Sequence, residues 1–269
     1  MSSGRFVENY GPWAVVTGAS DGIGQAFAQD LAARGLDLVL VARRTDRLEA
    51  LGAGLRGEHG IRYRVIGADL GLPTGSDALV EATRDLDVGL LVAAAGFGSC
   101  EPFLASDASA DVDMLEVNCA AVLRQCHHFG PRLIARGRGG VVLMSSVVAF
   151  QGTPLSANYA ATKAYIQSLA EALRREWRSA GVDVVSCAPG PVATGFATRA
   201  KMNMARAVTP GTVASETLSA LGRRGTVRPG VLSKLLGWSL ATAPRSLRVS
   251  ILGNVMRGMA RPPEPRPPR

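Results

Sequence analysis

A doubly wound α/β fold built on a parallel sheet is the architecture this sequence predicts, and three observations carry it. Short apolar runs alternate with helix-length segments, the runs are unbroken rather than alternating, and a glycine cluster follows the first of them. Unbroken Val, Leu and Ala mark a strand buried on both faces, which needs helices on each side of the sheet. The strand-like runs are Trp13–Thr17, Leu36–Ala42, Arg62–Ile66, Val88–Ala94, Val141–Ser145 and Val182–Ala188.

Taken in order, the first run ends in Thr17-Gly18-Ala19-Ser20-Asp21-Gly22-Ile23-Gly24 and enters a helix that places Ala26, Phe27, Leu31 and Ala32 on one face. Three glycines at a strand-to-helix turn suit a bound pyrophosphate. Gly18 permits the tight turn, Gly22 the approach of phosphate to the backbone, and Gly24 the packing of helix on strand, while the helix start offers free N–H donors. The second run ends Val41-Ala42-Arg43-Arg44, with no acid to hold a ribose 2′-hydroxyl. Two guanidinium groups there fit a 2′-phosphate, which predicts NADP(H) as cofactor. The plainer reading is that Arg43 and Arg44 only decorate a helix start.

The third element of chemistry is Tyr159-Ala160-Ala161-Thr162-Lys163 at the start of a long helical segment, where i,i+4 spacing puts phenol and ammonium on one face. A tyrosine brought from pKa ~10 toward neutrality needs ~4 kcal/mol, which one cation at ~4 Å supplies at an effective dielectric of ~20. Lys163 is expected to act in that way. Ser146 lies thirteen residues before Tyr159, at the carboxyl end of the fifth run, where open α/β sheets bind their ligands.

Together with Cys187-Ala188-Pro189-Gly190-Pro191-Val192-Ala193-Thr194, these motifs make the chain resemble the short-chain dehydrogenase/reductase superfamily, with its Rossmann fold, from about Trp13 to Gly230. Within it the chain resembles the branch of 3-oxoacyl-CoA and steroid reductases. The resemblance implies hydride transfer at C4 of a nicotinamide and a catalytic tetrad of Asn118, Ser146, Tyr159 and Lys163. It further implies that Asp69 and Leu70 contact the adenine, that Ala95 and Gly96 allow close backbone approach, and that Pro189, Gly190, Val192 and Thr194 hold the carboxamide. Tyr159 and Lys163 would also touch the cofactor, and Asn118 would position a relay water. Two departures stand out. Ala93-Ala94 replaces the family's Asn pair, which predicts a less braced cofactor loop, and Asp21 sits where NADP-preferring relatives often carry a basic residue.

Selectivity is expected in the segment from Gly195 to about Ala207, with Phe196, Met202 and Met204, and near the mouth at Phe97, Val148 and Phe150. These residues favour a lipophilic carbonyl or alcohol, although methionines and aromatics at such spacing serve cores as often as pockets. Lys201 and Arg206 fit either an acidic substrate group or a solvated rim. The rival reading from another class is a non-catalytic NADP(H)-binding or membrane-tethered regulatory protein of the same fold.

The net charge of +8 is not spread over the chain: residues 1–222 carry 20 Lys+Arg against 21 Asp+Glu, and residues 223–269 carry 10 against 1. A basic tail on a neutral body gives no support for a nucleic-acid groove. The expected division is a dinucleotide-binding and catalytic domain over 1–230, a basic amphipathic extension over 231–260, and a disordered Pro/Arg tail over 261–269. In the extension Leu232, Leu235, Leu236 and Leu240 mark one helical face and Leu247, Ile251, Leu252, Val255, Met256 and Met259 another, interrupted at Pro244. Such faces suit a cover over the substrate pocket, a dimer contact or an anionic membrane surface. Relatives form dimers or tetramers, and a homo-oligomer is expected here. Four cysteines without a CxxC pair, and His59, His127 and His128 not at metal-ligand spacing, predict no metal site, and the absence of an apolar leader run predicts a reducing, cytoplasmic setting.

Overall fold

A computed structural model describes residues 3–200, 202, 207–231, 233–235, 237 and 242–260. The sheet has seven parallel strands: β1 (Trp13–Thr17), β2 (Asp37–Ala42), β3 (Tyr63–Gly67), β4 (Val88–Ala93), β5 (Gly139–Met144), β6 (Val182–Cys187) and β7 (Thr226–Val227). Their order is β3-β2-β1-β4-β5-β6-β7, so the chain reverses its direction of winding between β1 and β4. At that reversal the connections diverge to opposite sides and leave a crevice beyond the strand ends. Register is close to in-line, with Val15 opposite both Val39 of β2 and Leu91 of β4.

The six anticipated strands are present to within two residues at either end. Strand β7 is too short to leave a periodic signal. Helices cover both faces, as unbroken apolar strands require. On one face α2 (Gly22–Ala33), α3 (Thr45–His59) and α9 (Pro210–Ala220) bury Phe27, Leu31, Leu48, Val213 and Leu218 against Val16, Leu40 and Val92. On the other, α4 (Pro73–Ala82), α6 (Ala121–Arg136) and α7 (Ala157–Trp177) bury Leu79, Phe129, Ile166 and Ala170 against Val15, Val41 and Val141. Each buried Leu or Phe contributes about 1.5–3 kcal/mol relative to exposure.

Helix α1 (Ser3–Tyr10) was not anticipated from the sequence. Its Phe6 and Tyr10 are fully buried under the sheet, and the Tyr10 hydroxyl donates to Asp183 Oδ2 at 2.7 Å. Helix α5 (Ala108–Leu115) runs into α6 through one wide turn, Glu116–Ala120, in which the Ala121 N–H reaches back five residues to the Glu116 carbonyl. After β6 come the four-residue α8 (Phe196–Arg199) and α9, and the described chain closes with α10 (Arg245–Met259). Pro244 stands immediately before α10, where its fixed φ suits a helix start, so the expected interruption is realised as a boundary.

Candidate active site

The glycine turn, the paired arginines, Ser146, the Tyr159–Lys163 pair and the Pro189–Thr194 segment converge on one cavity of about 870 Å³ at the carboxyl ends of the strands. Its first half is built by the glycine turn. Gly18 has φ +69° and Gly22 φ +55°, and a Cβ on Gly18 would lie 2.9 Å from the Ala95 backbone. A Cβ on Gly24 would lie 2.2 Å from the Gly18 carbonyl oxygen, and one on Gly22 would meet Thr194 at 2.9 Å. These glycines make a cradle that side chains would fill. Gly18, Ser20, Asp21, Gly22, Ile23 and Gly24 line it, beside the start of α2 with its unpaired N–H groups.

Opposite them stand Arg43, Arg44, Asp69, Leu70, Ala95 and Gly96, all lining the cavity. Arg44 donates to Ser20 Oγ at 3.0 Å and lies 3.5 Å from Asp21, which Arg47 approaches at 3.9 Å. Asp21 thus faces two guanidinium groups. Arg43 faces Asp69 at 3.6 Å. A glycine cradle facing an arginine-rich rim is the donor set a phosphorylated dinucleotide calls for, so the residues fit the nicotinamide cofactor.

The segment that carries Ala93-Ala94 in place of the Asn pair is bonded to a side chain of β1. Thr17 Oγ1 accepts from the backbone N–H groups of Ala94 and Ala95 at 3.1 and 3.2 Å, and it is fully buried. That hydroxyl ties β1 to the segment after β4.

In the second half of the cavity Ser146 begins a single 3₁₀ turn, accepting from the Val148 N–H at 3.4 Å and donating to the Pro189 carbonyl at 3.4 Å. Tyr159 and Lys163 lie on one face of α7, with the ammonium 5.7 Å from the tyrosine ring centre. Lys163 is buried and donates to the Met144 carbonyl at 2.8 Å. Gly98 leaves the space that Tyr159 needs, since a Cβ there would lie 2.7 Å from its ring. The electrostatics differ from the expectation. Burial pushes the Tyr159 phenol up to about 12, the neighbouring Ser146 side chain pulling the other way, and burial pushes the Lys163 ammonium down to about 8. Desolvation dominates both groups, and the tyrosine stays protonated at neutral pH.

Asn118 does not line the cavity. It sits in the wide turn before α6, and its Oδ1 accepts from the Phe97 N–H at 3.1 Å while Nδ2 donates to the Phe97 carbonyl at 2.9 Å and to Thr162 Oγ1 at 3.0 Å. Both amide protons are engaged, so the side chain braces Phe97 against α7. Pro189, Gly190, Val192 and Thr194 line the cavity as anticipated, with Ser233 Oγ accepting from the Gly190 N–H at 2.9 Å.

Of the anticipated substrate residues, Phe97, Val148, Phe196 and Met202 line the cavity. Phe150 does not: its ring lies beneath the Arg228 guanidinium at 4.4 Å, because the 3₁₀ turn directs it away. Lys201, Met204 and Arg206, like Leu232, Leu236, Leu240 and 261–269, fall outside the described residues. The residues the sequence left unassigned come from α10, whose Leu252, Val255, Met256 and Met259 line the same cavity. Ala260 makes an antiparallel bridge to Met202, and Gly253 sits against Pro154, where a Cβ would meet the ring at 3.1 Å. The extension thus covers the substrate half. Among the described residues no helix is long and apolar enough to cross a membrane, and no three metal-ligating side chains gather.

Fold and cavity define a dinucleotide-binding α/β protein with a serine, a tyrosine and a lysine at the far end of the nucleotide groove. The family model for short chain dehydrogenase matches residues 12–205, and the chain belongs to that oxidoreductase family. It is 32% identical over 234 residues to a 7beta-hydroxysteroid dehydrogenase of Clostridium sardiniense, covering 86% of this chain and 90% of that one. It is likewise 32% identical over 245 residues to a very-long-chain 3-oxoacyl-CoA reductase of Pyrenophora tritici-repentis, covering 88% and 72%. A short-chain dehydrogenase from Sphingobium yanoikuyae in complex with NADPH superposes with a TM-score of 0.77 at 30% identity, covering 86% and 93%.

Proposed function

We propose that this protein is an NADP(H)-dependent oxidoreductase that interconverts a carbonyl and an alcohol on a lipophilic substrate of the ketone, steroid or 3-oxoacyl type. The observation that carries the reading is the single cavity, with an arginine-rimmed glycine cradle at one end and Ser146, Tyr159 and Lys163 under a roof of Met202, Leu252, Met256 and Met259 at the other. The similarity to hydroxysteroid and 3-oxoacyl-CoA enzymes, and to a relative solved with NADPH, supports the same choice.

In the reductive direction the bound nicotinamide supplies a hydride to the substrate carbonyl carbon. Ser146 donates its hydroxyl proton to the carbonyl oxygen as a hydrogen bond and fixes where charge develops. Tyr159, protonated at neutral pH, gives its proton to the forming alkoxide. Lys163 lies beneath the phenol ring and stabilises the tyrosinate left behind. Asn118 acts as a positioning residue, holding Phe97 and Thr162, and Thr162 in turn donates to the Tyr159 carbonyl at 2.8 Å. Oxidation runs the same groups backward.

The test is NADPH consumption over a panel running from small aldehydes through steroids to 3-oxoacyl thioesters. Turnover rising with apolar bulk, and abolished in Tyr159→Phe while NADPH still binds, is the expected result. Normal turnover by Tyr159→Phe would remove the assignment. Normal NADPH binding with no turnover on any member would favour the non-catalytic rival.

A further inference from the structure

Arg199 closes α8, and its guanidinium stacks on the Phe97 ring at 4.3 Å, both residues lining the cavity. Stacking fixes the plane and leaves the N–H edge free. No hydrogen bond or ion pair within 4 Å occupies those donors among the described residues. Asp69, the nearest acid, is not within ion-pair distance of it, its Oδ1 accepting from the Gly71 N–H at 3.0 Å and its Oδ2 facing Arg43 at 3.6 Å. Partial burial and the neighbouring Arg43 both disfavour the charge on Arg199, with Asp69 acting the other way. A cation is held, without an acceptor among the described residues, in the same groove as Arg43.

We propose that Arg199 is a phosphate ligand of the dinucleotide, a strap that fastens the end of α8 on the bound cofactor. The proposal rests on the reading of the cavity as a dinucleotide site. An anion between Arg43 and Arg199 converts their repulsion into shared attraction, as bidentate guanidinium–phosphate contacts do. The charges agree: Arg43, Arg44, Arg47 and Arg199 surround Asp21 and Asp69, an excess of two that matches a phosphomonoester at about −1.5 to −2. The other end of α8 reaches the chemistry, since the Phe196 ring lies 5.5 Å from that of Tyr159. Fastening Arg199 therefore also fixes the wall beside the catalytic tyrosine.

The experiment is a fluorescence titration of NADPH and NADH into the full chain, as wild type, Arg199→Gln and Arg199→Lys, with thermal melting of the cofactor-free proteins. Arg199→Gln is expected to weaken NADPH at least tenfold, Arg199→Lys to recover part of the loss, and the cofactor-free melting temperatures to stay together. A loss confined to NADPH assigns the 2′-phosphate as the ligand, and an equal loss for NADH assigns the pyrophosphate; both support the strap. Affinity for both cofactors within twofold of wild type in Arg199→Gln overturns it. A wild type with no preference for NADPH overturns the choice of NADP(H) alone, and Arg199 is then judged by whether the glutamine variant loses NADH.

Discussion

At the scale of single residues, the chemistry of this site is set by how much charge it refuses to solvate. Lys163 titrates at about 8 in the fold against an ordinary 10.5, so between those values the unfolded chain holds a proton the folded chain has released. Stability accordingly rises with pH across that window, and below it the full penalty applies. Lys163→Met is expected to melt higher than wild type at pH 7, by on the order of 3 kcal/mol less the lost bond to the Met144 carbonyl, with the gap closing toward pH 10.5. Calorimetry across that range checks it, and turnover should be lost in the same variant. Tyr159, held up to about 12, is an acid at neutral pH. Carbonyl reduction should be nearly flat from roughly pH 6 to 8 while alcohol oxidation climbs with pH, which initial rates in both directions would show. Thr17→Val removes the acceptor for two N–H groups, at about 1–3 kcal/mol for each one left unpaired, and should weaken cofactor binding together with stability. The side chains of Ser146, Tyr159 and Lys163 were legible because their spacing on known elements fixes their meeting. Thr17 and Gly98 were not, since an ordinary strand-end threonine and a loop glycine acquire their roles only from segments far away in sequence.

At the scale of elements, the strands were legible because a strand buried on two faces is written as an unbroken apolar run. Helix α1 was missed although Phe6, Val7 and Tyr10 mark one side of it, because eight residues are too few to make a helix on their own and its stability comes from the sheet that it packs beneath. For α10 the amphipathic face was legible but its partner was not: periodicity states which side chains leave water and is silent on what they meet. The structure turns Leu252 and Met256 inward over the substrate half, with Val255 at 41% exposure on its flank. Removing 245–269 should broaden substrate size tolerance and raise KM for bulky ketones several-fold while NADPH affinity holds. Kinetics on the truncated and full chains with a small and a large ketone would reveal this, and unchanged KM for both would contradict the covering role. Phe150 illustrates the converse limit, because proximity in sequence to Ser146 does not fix which way a side chain in a 3₁₀ turn points.

At the scale of the whole molecule, two apolar layers enclose one sheet, and the groove at its reversal point joins segments from β1, β2, β4, β5, β6 and α10. A ligand spanning so many elements stabilises the fold as a unit. NADPH at a hundred times its Kd contributes about 2.7 kcal/mol and should raise the melting temperature by roughly 5–10 °C, measurable by scanning fluorimetry. The basic excess belongs to residues 223–269 and leaves the body near neutrality, so cofactor attraction arises from the local arginine rim rather than from the overall field.

The wide turn at Glu116–Ala120 sets the rotational phase of everything around it. Successive residues of an α-helix are about 100° apart, so one residue accommodated in a five-residue turn lets α5 and α6 keep independent orientations while Asn118 points at Phe97. Deleting a single residue within the turn would restore a regular helix, and it would swing either Asn118 or the apolar face of α6 out of alignment. The bracing of the site is thus tolerant of many substitutions along this helix and intolerant of a one-residue change in its length.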